Sequence, residues 1–528
     1  MTKRAIADVS TAAARDRGKR DPSPPLVPAL TIVAHPSCLR AGERLLLDAL
    51  LAGKDVAVSR NVPDFVQPDR VLGLPLGDPF VSRKPIRFAP APEGRVRVLA
   101  GDGGPLTIAG ARVREGVELG PDELAAGVPI ELAERVVLLL HLASREGAPT
   151  ADTLGMVGES VGIRRVRDHL ERIADLSVPV LIRGETGTGK ELVARAVHAH
   201  GPQHSGPFVS VNLGAVPREL AAAELFGAQR GAYTGATRDR EGFFGAARGG
   251  TLFLDEVGEA PPEVQVMLLR VLETGEMFPV GGQTPVATDV RLIAATDANL
   301  EAHIRDGRFK APLLHRLAGY EIRLPALRER REDIGLLFCH FAQQELAAIG
   351  EAHRLAPEDP YGEPWLPAAL AVRLLTSSWP GNIRQLRNVT RQLVIGSRGR
   401  AQLELDPRLE AELGPAPGQV SAAPAAAPAT VDAPRRKPAD VTEAELVEAL
   451  RACAWDLKPT ADRLGIPRSS LYDLIKRYPS VRTVSDLSVE EITRTFHACG
   501  GDVPRMVERL QVSEQALKRR LKELGLPR

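Results

Sequence analysis

The chain has 528 residues, of which 44% are hydrophobic, so it is too long for one core and is expected to form several domains. Its 68 Lys and Arg residues nearly balance its 67 Asp and Glu residues, so any DNA contact must come from a local basic patch. The four cysteines form neither a CxxC pair nor a disulfide framework, which indicates reduced thiols. No signal peptide or bilayer-spanning apolar run is evident, which excludes a membrane partner and predicts a soluble, cytoplasmic protein.

The first part of the chain predicts a short disordered segment and then a β-rich domain. Residues 1–28 are rich in Ala, Arg, Asp and Pro and are predicted to be disordered. Over residues 29–145, short apolar runs alternate with Gly, Pro and Asp, a pattern typical of short strands joined by turns. We therefore expect a small β domain here.

The rest of the chain predicts a multidomain α/β protein. Residues 152–320 alternate apolar strands with amphipathic helices, which indicates a parallel sheet with helical crossovers. Residues 321–400 are mainly helical and suit a lid behind that sheet. An Ala- and Pro-rich stretch at 401–438 predicts a linker, and the composition beyond it predicts an all-α region.

A GxxxxGK sequence lies between an apolar strand and a helical segment, beginning at Gly184. In that setting backbone N–H groups converge on phosphate oxygens and the lysine reaches the β and γ phosphates. The sequence therefore predicts ATP binding, and Glu191 stands where a magnesium-binding Ser or Thr is usual. The predicted ATP-binding residues of this loop are Gly184, Glu185, Thr186, Gly187, Thr188, Gly189, Lys190 and Glu191.

A second motif supplies the acids that ATP hydrolysis needs. The apolar run Thr251 to Leu254 ends in Asp255 and Glu256, some 65 residues after Lys190. Asp255 is predicted to hold Mg²⁺, directly or through water, and Glu256 to orient and polarise the attacking water.

With these motifs, residues from about 155 to 394 and the C-terminal tail resemble the AAA+ bacterial enhancer-binding proteins, which activate RNA polymerase carrying sigma-54. The most specific element is a segment similar to the family's GAFTGA loop, in which Tyr replaces the usual Phe. The resemblance implies that this loop contacts sigma-54 and moves with the nucleotide state. Its residues are Gly231, Ala232, Tyr233, Thr234, Gly235 and Ala236.

The same resemblance implies further catalytic roles. Asn212 matches the residue that restrains the catalytic glutamate, and Arg384 matches the lid arginine that senses phosphates. Lys310 and Arg316 match the region that supplies arginine fingers to a neighbouring subunit, which implies a homo-oligomeric ring of six or seven subunits. Lys310 stands where Arg is usual and Asp297, predicted to face the nucleotide, stands where Asn is common, so slow hydrolysis is expected.

Residues 439–482 resemble the Fis-type helix-turn-helix of this family, with Ala461, Gly465 and Leu471 at the spacing that a tight turn needs. A helical hairpin used for dimerisation is the alternative. The predicted DNA-binding residues are Arg468, Ser469, Ser470, Tyr472, Lys476 and Arg477.

An internal repeat follows, because the sequence around Cys453 recurs around Cys499 at an offset of 46 residues. Residues 483–528 are therefore predicted to form a second helix-turn-helix-like unit. Its Gln511 replaces the turn glycine, which weakens the case for DNA binding, whereas its Lys and Arg residues offer phosphate contacts. DNA binding and self-association both stay open for this unit.

The β domain weakly resembles a forkhead-associated domain, a β-sandwich that binds phosphothreonine. The resemblance implies that Arg60, Ser82 and Arg83 face the phosphate of a partner protein. Pro85 and Ala109 replace the usual His and Asn, so a purely structural β domain is the alternative.

The leading hypothesis for the whole chain is a sigma-54-dependent activator. It would bind upstream enhancer-like DNA and hydrolyse ATP in a ring to remodel the polymerase closed complex. The alternative is a DNA-binding regulator that binds ATP but hydrolyses it weakly, and a third hypothesis is an AAA+ remodeller of an unrelated partner.

Overall fold

The computed structural model describes residues 26–67, 72–101, 106–145, 153–232, 238–357, 359–414 and, with several further gaps, 442–524. The chain divides into two compact units, residues 1–421 and residues 422–528. Among the described residues no helix is long and apolar enough to cross a membrane. Most of the predicted disordered segment and most of the predicted linker lie outside the described residues.

The first unit begins with a domain of two antiparallel sheets, ordered β2-β1-β10-β9-β6-β7 and β3-β4-β5-β8. Alternation of side chains places Val96 and Val98 of β5 in the core while Arg95 and Arg97 are exposed. Residues of both sheets meet in one hydrophobic core. The elements are β1 (Leu26–Ala34), β2 (Arg44–Leu46), β3 (Val56–Val58), β4 (Ile86–Ala91), β5 (Arg95–Leu99), β6 (Leu106–Ile108), β7 (Ala111–Val113), β8 (Gly116–Leu119), α1 (Pro121–Ala126), β9 (Val128–Leu132) and β10 (Val136–Ser144).

An α/β subdomain follows, with a five-stranded parallel sheet ordered β12-β13-β16-β11-β17. Its central strands are buried on both faces, as continuous apolar runs predict for a parallel sheet covered by helices. The elements are α2 (Val161–Ile173), β11 (Val180–Arg183), α3 (Lys190–Ala199), β12 (Phe208–Asn212), α4 (Arg218–Phe226), α5 (Phe243–Ala246), β13 (Thr251–Asp255), α6 (Pro262–Thr274), β14 (Glu276–Met277), β15 (Val286–Ala287), β16 (Arg291–Thr296), α7 (Leu300–Arg305), α8 (Ala311–Leu317) and β17 (Tyr320–Arg323).

A helical lid completes the first unit, with α9 (Ile334–Ala348), α10 (Ala368–Thr376), α11 (Asn382–Gly396) and α12 (Pro407–Leu413). Its limits differ from the predicted 321–400. Strand β17 pairs with β11 and so belongs to the sheet. At the other end Leu403, Leu409 and Leu413 are buried in the lid core, so the predicted linker start at 401 falls inside the lid.

The N-terminal domain packs directly on the lid. Val33, Ala34 and Cys38 share one hydrophobic core with residues of α9 such as Leu337 and Phe338. The backbones approach so closely that a Cβ on Gly335 would lie 2.3 Å from the carbonyl oxygen of Val33. A buried ion pair supports the contact, because Arg135 donates to Asp78 (3.0 Å) and also to the carbonyl of Pro360 in the lid (3.1 Å).

The second unit is helical in its described residues. It contains α13 (Glu443–Ala452), α14 (Leu457–Leu464), α15 (Val489–Ala498) and α16 (Val503–Leu510). Side-chain N-caps start α13 and α15, where Thr442 accepts from the backbone N–H of Glu445 and Ser488 from that of Glu491. The helices pack around one hydrophobic core.

A candidate nucleotide site

The predicted phosphate-binding loop connects the carboxyl end of β11 to α3. Two of its glycines adopt a left-handed backbone that other residues rarely take, Gly187 at φ +80° and Gly189 at φ +102°. Because α3 begins at Lys190, its first N–H groups and its positive dipole end point toward the loop. The loop therefore has the geometry of an anion site.

The side chain of Lys190 lies inside this loop. Its Nζ donates to the carbonyl oxygens of Gly184 (2.8 Å) and Glu185 (3.3 Å), and the residue is buried. Burial lowers the pKa of Lys190, whereas the nearby carboxylates of Asp297, Asp255 and Glu256 raise it. The lysine thus sits among the acids that the sequence analysis assigned to hydrolysis.

The two strand-end acids occupy the same edge of the sheet as the loop. Asp255 ends β13, and Glu256 has a left-handed backbone (φ 55°) fixed by its N–H donating to the Asp255 carboxylate at 3.0 Å. The carboxylate of Glu256 lies over Gly214, where a Cβ would be 2.1 Å from Oε2. Gly214 is a residue that sequence reasoning missed, because only the packed geometry shows that Glu256 needs the space.

Asn212 lies beside these acids, in register with Asp255 on the neighbouring strand. Its Oδ1 accepts from the N–H of Ala215 at 3.1 Å and so caps a short 3-10 turn. Within the described part of the chain no hydrogen bond joins Asn212 to Glu256. Both residues nevertheless line the same cleft.

Asp297, the predicted departure from the family pattern, contacts the phosphate-binding loop. Its Oδ2 accepts a hydrogen bond of 2.5 Å from the hydroxyl of Thr186. Asp297 follows β16, the strand next to β11 in the sheet. It therefore adds a third carboxylate close to Lys190, where an incoming triphosphate must also place its charge.

The lid approaches the loop from the other side. The backbone N–H of Arg384 contacts the carbonyl of Gly187 at 3.3 Å, and a Cβ on Gly187 would lie 2.3 Å from the carbonyl of Gly381. Arg384 is exposed and lines the cleft.

Two residues that sequence reasoning missed hold the lid against the loop. Arg328 donates two hydrogen bonds to the carboxylate of Glu185, one of them 2.8 Å long, and the amide of Asn382 donates a third at 3.1 Å. The Asn382 amide also donates to the carbonyl of Thr186 at 3.1 Å, while its Oδ1 accepts from the N–H of Leu327 at 2.8 Å. The bonds from Arg328 and then Asn382 lower the pKa of Glu185 to about 2.

The loop, the acids and the lid enclose a cleft of about 750 Å³. Its lining includes the apolar side chains of Met156, Val157 and Ile383 and the charged side chains of Lys190, Asp255, Glu256 and Arg384. This volume and this mixture of apolar and charged side chains suit a nucleotide, which has an apolar base and charged phosphates.

The donors fit a magnesium ion that is held mainly by phosphates and water. In the described residues no three His, Cys, Asp or Glu side chains cluster as a metal site. Glu191 points its carboxylate to Arg195 on the exposed face of α3, with Nη2–Oε1 at 2.7 Å. Asp255 is the residue that would hold the ion, since Mg²⁺ commonly binds through one or two carboxylates together with nucleotide phosphates.

Lys310 and Arg316 do not line the cleft of their own chain. Lys310 is the exposed N-cap residue of α8, and Arg316 is exposed on that helix, 3.7 Å from the carboxylate of Glu273. Lys310 and Arg316, the predicted arginine-finger residues, therefore lie on a different surface of the protomer from its cleft.

The predicted sigma-54 contact loop is described only at its base. Ala228 and Arg240 exchange two backbone hydrogen bonds (3.0 and 2.8 Å), which closes the loop, and Gly231 is exposed with φ +84°. Ala232 is half-buried. Tyr233, Thr234, Gly235 and Ala236 lie outside the described residues, as do the predicted DNA-binding residues Arg468, Ser469, Ser470, Tyr472, Lys476 and Arg477.

The structure brings together the three residues predicted for phosphopeptide binding. The backbone N–H of Arg60 donates to the carbonyl of Ser82 at 3.0 Å, and its guanidinium donates to the carbonyl of Pro79 at 2.7 Å. Ser82 accepts from the N–H of Lys84 and is half-buried, and Arg83 is exposed. These residues lie in neighbouring loops that follow β3 and precede β4.

Three family models match the chain in succession. The sigma-54 interaction domain matches residues 156–323, the AAA+ ATPase lid domain matches 328–413, and the Fis family of bacterial regulatory proteins matches 438–478. The chain is 36% identical over 409 residues to the DNA-binding transcriptional regulator NtrC of Azospirillum brasilense, an alignment that covers 75% of this chain and 77% of that protein. The chain belongs to the NtrC family of transcriptional regulators.

Other NtrC-family members match over less of their length. The chain is 45% identical over 260 residues to NtrC of Klebsiella pneumoniae, which covers 49% of this chain and 52% of that protein, so it spans about half the length of that relative. A crystal structure of NtrX from Brucella abortus in complex with ATP is 32% identical, with a TM-score of 0.42, and covers 70% of this chain and 69% of that one. The predicted resemblance to sigma-54 activators is confirmed, whereas that of the N-terminal domain to forkhead-associated domains stays a prediction.

Proposed function

We propose that this protein is a sigma-54-dependent transcriptional activator that couples ATP hydrolysis to remodelling of the polymerase closed complex. The observation that carries the proposal is the convergence of Lys190, Asp255 and Glu256 on one cleft within a sigma-54 interaction domain. The protein would act in the cytoplasm, because the polymerase closed complex that it remodels is formed on DNA.

In this proposal each residue has a separate task. Lys190 and the N–H groups at the start of α3 bind the phosphates. Glu256 orients and polarises the attacking water, and Arg384 of the lid reads the phosphate end of the cleft. Asp255 would hold magnesium, which when bound neutralises charge on the β and γ phosphates.

Hydrolysis would require a homo-oligomeric ring of six or seven subunits. Arg316 and Lys310 are exposed and lie off the cleft of their own chain, so they are available to the cleft of a neighbour. A guanidinium supplied in trans stabilises the transferring phosphoryl group by about 10³–10⁵ in rate. The rate per protomer should therefore rise with protein concentration, and Arg316→Ala should abolish that rise without changing ATP affinity.

The contact loop is tested separately from the ATPase. We expect Thr234→Ala to retain ATP hydrolysis and to lose sigma-54-dependent open-complex formation in a purified transcription assay. Equal loss of both activities would instead indicate misfolding or a role in hydrolysis, and full retention of open-complex formation would exclude the loop as the sigma-54 contact.

The second candidate function is a DNA-binding regulator that binds ATP but hydrolyses it weakly. The contact between Asp297 and Thr186 favours it, because a third carboxylate near Lys190 opposes the phosphates. Asp297→Asn is expected to raise turnover at least about threefold if the carboxylate limits hydrolysis. An unchanged rate in Asp297→Asn, with high wild-type turnover, would favour the first candidate.

DNA binding is proposed for the Fis-type region, through Arg468, Ser469, Ser470, Tyr472, Lys476 and Arg477. The family match over residues 438–478 supports this assignment. Footprinting on upstream promoter DNA, with and without ATP and polymerase, tests it.

For the N-terminal domain we propose a forkhead-associated-like β-sandwich that binds a phosphothreonine protein. Two sheets with a common core, and the adjacency of Arg60, Ser82 and Arg83, support the proposal. A phosphothreonine peptide should bind and its unphosphorylated form should not, with Arg60→Ala lowering affinity at least about tenfold. Equal binding of both peptides would favour the purely structural alternative.

A further inference from the structure

The C-terminal repeat is a repeat of structure as well as of sequence. Helices α13 and α15 both contain ten residues, and α14 and α16 both contain eight. The N-caps Thr442 and Ser488 are 46 residues apart, the same offset as Cys453 and Cys499. The Fis-family match ends at residue 478 and so covers only the first copy.

The missing turn glycine does not prevent a helix-turn-helix in the second copy. Gln511, at the position that corresponds to Gly465, has a left-handed backbone with φ 55° and ψ 47°. Its N–H donates to the carbonyl of Val507 at 2.8 Å, which closes the end of α16. The residue thus adopts the conformation that a turn glycine supplies, at a cost of about 1–2 kcal/mol.

The two copies share one hydrophobic core. Leu446, Leu464 and Leu471 of the first copy are buried in the same cluster as their counterparts of the second. Those counterparts, 46 residues later, are Ile492, Leu510 and Leu517. Among the described residues, these apolar side chains of both copies are therefore already buried against each other within one chain.

The burial of these side chains decides between DNA binding and self-association, the two roles left open for the second copy. Self-association through the second copy would need an apolar face, and interface centres are depleted of Lys. Beyond α16 the described part of the chain instead carries Lys518, which is exposed, and Arg520, and the sequence adds Arg519 and Lys522, which lie outside the described residues. A surface of that composition matches a phosphate backbone.

We propose that residues 487–524 form a second helix-turn-helix that contacts DNA. It shares a hydrophobic core with the first, so that each chain has two DNA-contacting units. The ligand is duplex DNA, contacted at its phosphates through Lys518 and Arg520. The inference rests on the proposed DNA binding of the first copy.

The test is full-length protein bound to a random-sequence DNA duplex, measured by fluorescence anisotropy between about 50 and 200 mM salt. Lys518→Glu is compared with Arg505→Glu, a charge-matched variant of an exposed cation on α16 of the same copy. We expect Lys518→Glu to weaken binding about tenfold and to reduce the salt slope by about 1–2, and Arg505→Glu to change affinity less than about twofold. Circular dichroism and sedimentation velocity confirm that fold and oligomeric state are unchanged.

Three results would overturn the proposal. They are equal effects of the two variants, a wild-type affinity and salt slope in Lys518→Glu, and a change of oligomeric state that accounts for its weaker binding. If the wild-type chain itself fails to bind DNA, the proposed function of the first copy fails as well, whereas wild-type binding with an unaffected Lys518→Glu refutes the second copy alone.

Discussion

Glu185 in the phosphate-binding loop and Arg328 at the start of the lid form a two-point ion pair, with Arg328 Nη1 2.8 Å from Glu185 Oε2. Asn382, the first residue of α11, donates to the same carboxylate and stands two residues before Arg384. The position of Arg384, the proposed phosphate-sensing arginine, is therefore tied to the loop through Glu185. The link joins the two subdomains that contribute to the cleft.

Glu185→Gln removes the charged acceptor but keeps an oxygen for Asn382. Because the ion pair is partly exposed, we expect the variant to lose about 1 kcal/mol of transition-state stabilisation, which corresponds to about a fivefold fall in kcat. ATP affinity should change less than about twofold. Steady-state ATPase kinetics and binding of a fluorescent ATP analogue separate the two quantities. The matched control is Glu118→Gln, which breaks an exposed pair with Arg97 in the N-terminal domain. A fall in affinity with unchanged kcat would show that Glu185 acts in nucleotide binding instead.

Gly214→Ala is expected to displace the carboxylate of Glu256, which we propose to be catalytic. The added Cβ would lie 2.1 Å from Glu256 Oε2, so Glu256 must rotate away from its position over the turn. A misplacement of about 1 Å can cost about 100-fold in rate, so we expect kcat to fall between about 10- and 100-fold with ATP affinity preserved. Gly396→Ala, in open space near the end of α11, is the control. Similar kcat values for the two variants would contradict a positioned Glu256.

The sequence predicted those parts of the site that depend on local motifs. The strand, loop and helix around Lys190 and the acids at the end of β13 follow from apolar runs and glycine spacing, and the structure has them at the predicted residues. Residues whose role depends on a contact far along the chain were missed. Arg328 and Asn382 lie 143 and 197 residues from Glu185, and nothing in their local sequence indicates that partner.

The predicted boundaries of the lid and the linker differ from those of the structure because they too depend on contacts far along the chain. The predicted lid begins at 321 because residues 321–400 read as mainly helical, yet β17 is completed by hydrogen bonds to β11, a strand about 140 residues earlier. The linker start at 401 was placed by composition, which does not show that Leu409 and Leu413 bury their side chains in the lid. The prediction that Gln511 weakens the turn of the second repeat also depends on local sequence. Residue type alone does not show that Gln511 adopts a left-handed backbone.

Gly335→Ala should loosen the contact between the N-terminal domain and the lid. Its Cβ would meet the Val33 carbonyl at 2.3 Å, and overpacking of this kind costs about 1–3 kcal/mol. Cys38 and Cys339, whose sulfurs are 2.8 Å apart at this contact, report the change because they become reactive when the domains separate. We expect their labelling by a thiol reagent to accelerate at least about fivefold relative to Gly396→Ala, measured by mass spectrometry of the labelled peptides. Equal labelling rates would mean that the contact tolerates the added methyl group.

The same contact should weaken as pH rises. Burial, followed by the charge of Asp333, raises the pKa of Glu332 to about 7, while Arg44 of the N-terminal domain and Arg330 oppose that shift. Because the folded pKa lies above the unfolded value, the contribution of Glu332 to stability is complete below about pH 4.5 and is lost as pH rises through about 7.

The comparison must separate Glu332 from the buried His35 and His141, whose pKa values burial lowers to about 4 and about 3, because these histidines add stability as pH rises through about 6.5. Glu332→Gln is a neutral substitute for the protonated acid and lacks this titration, so the Tm of the wild-type chain should fall relative to that of Glu332→Gln between about pH 4.5 and 7.5. Glu118→Gln should keep the wild-type pH profile. Parallel profiles of Tm against pH for the wild-type chain and Glu332→Gln would show that Glu332 carries no pH dependence.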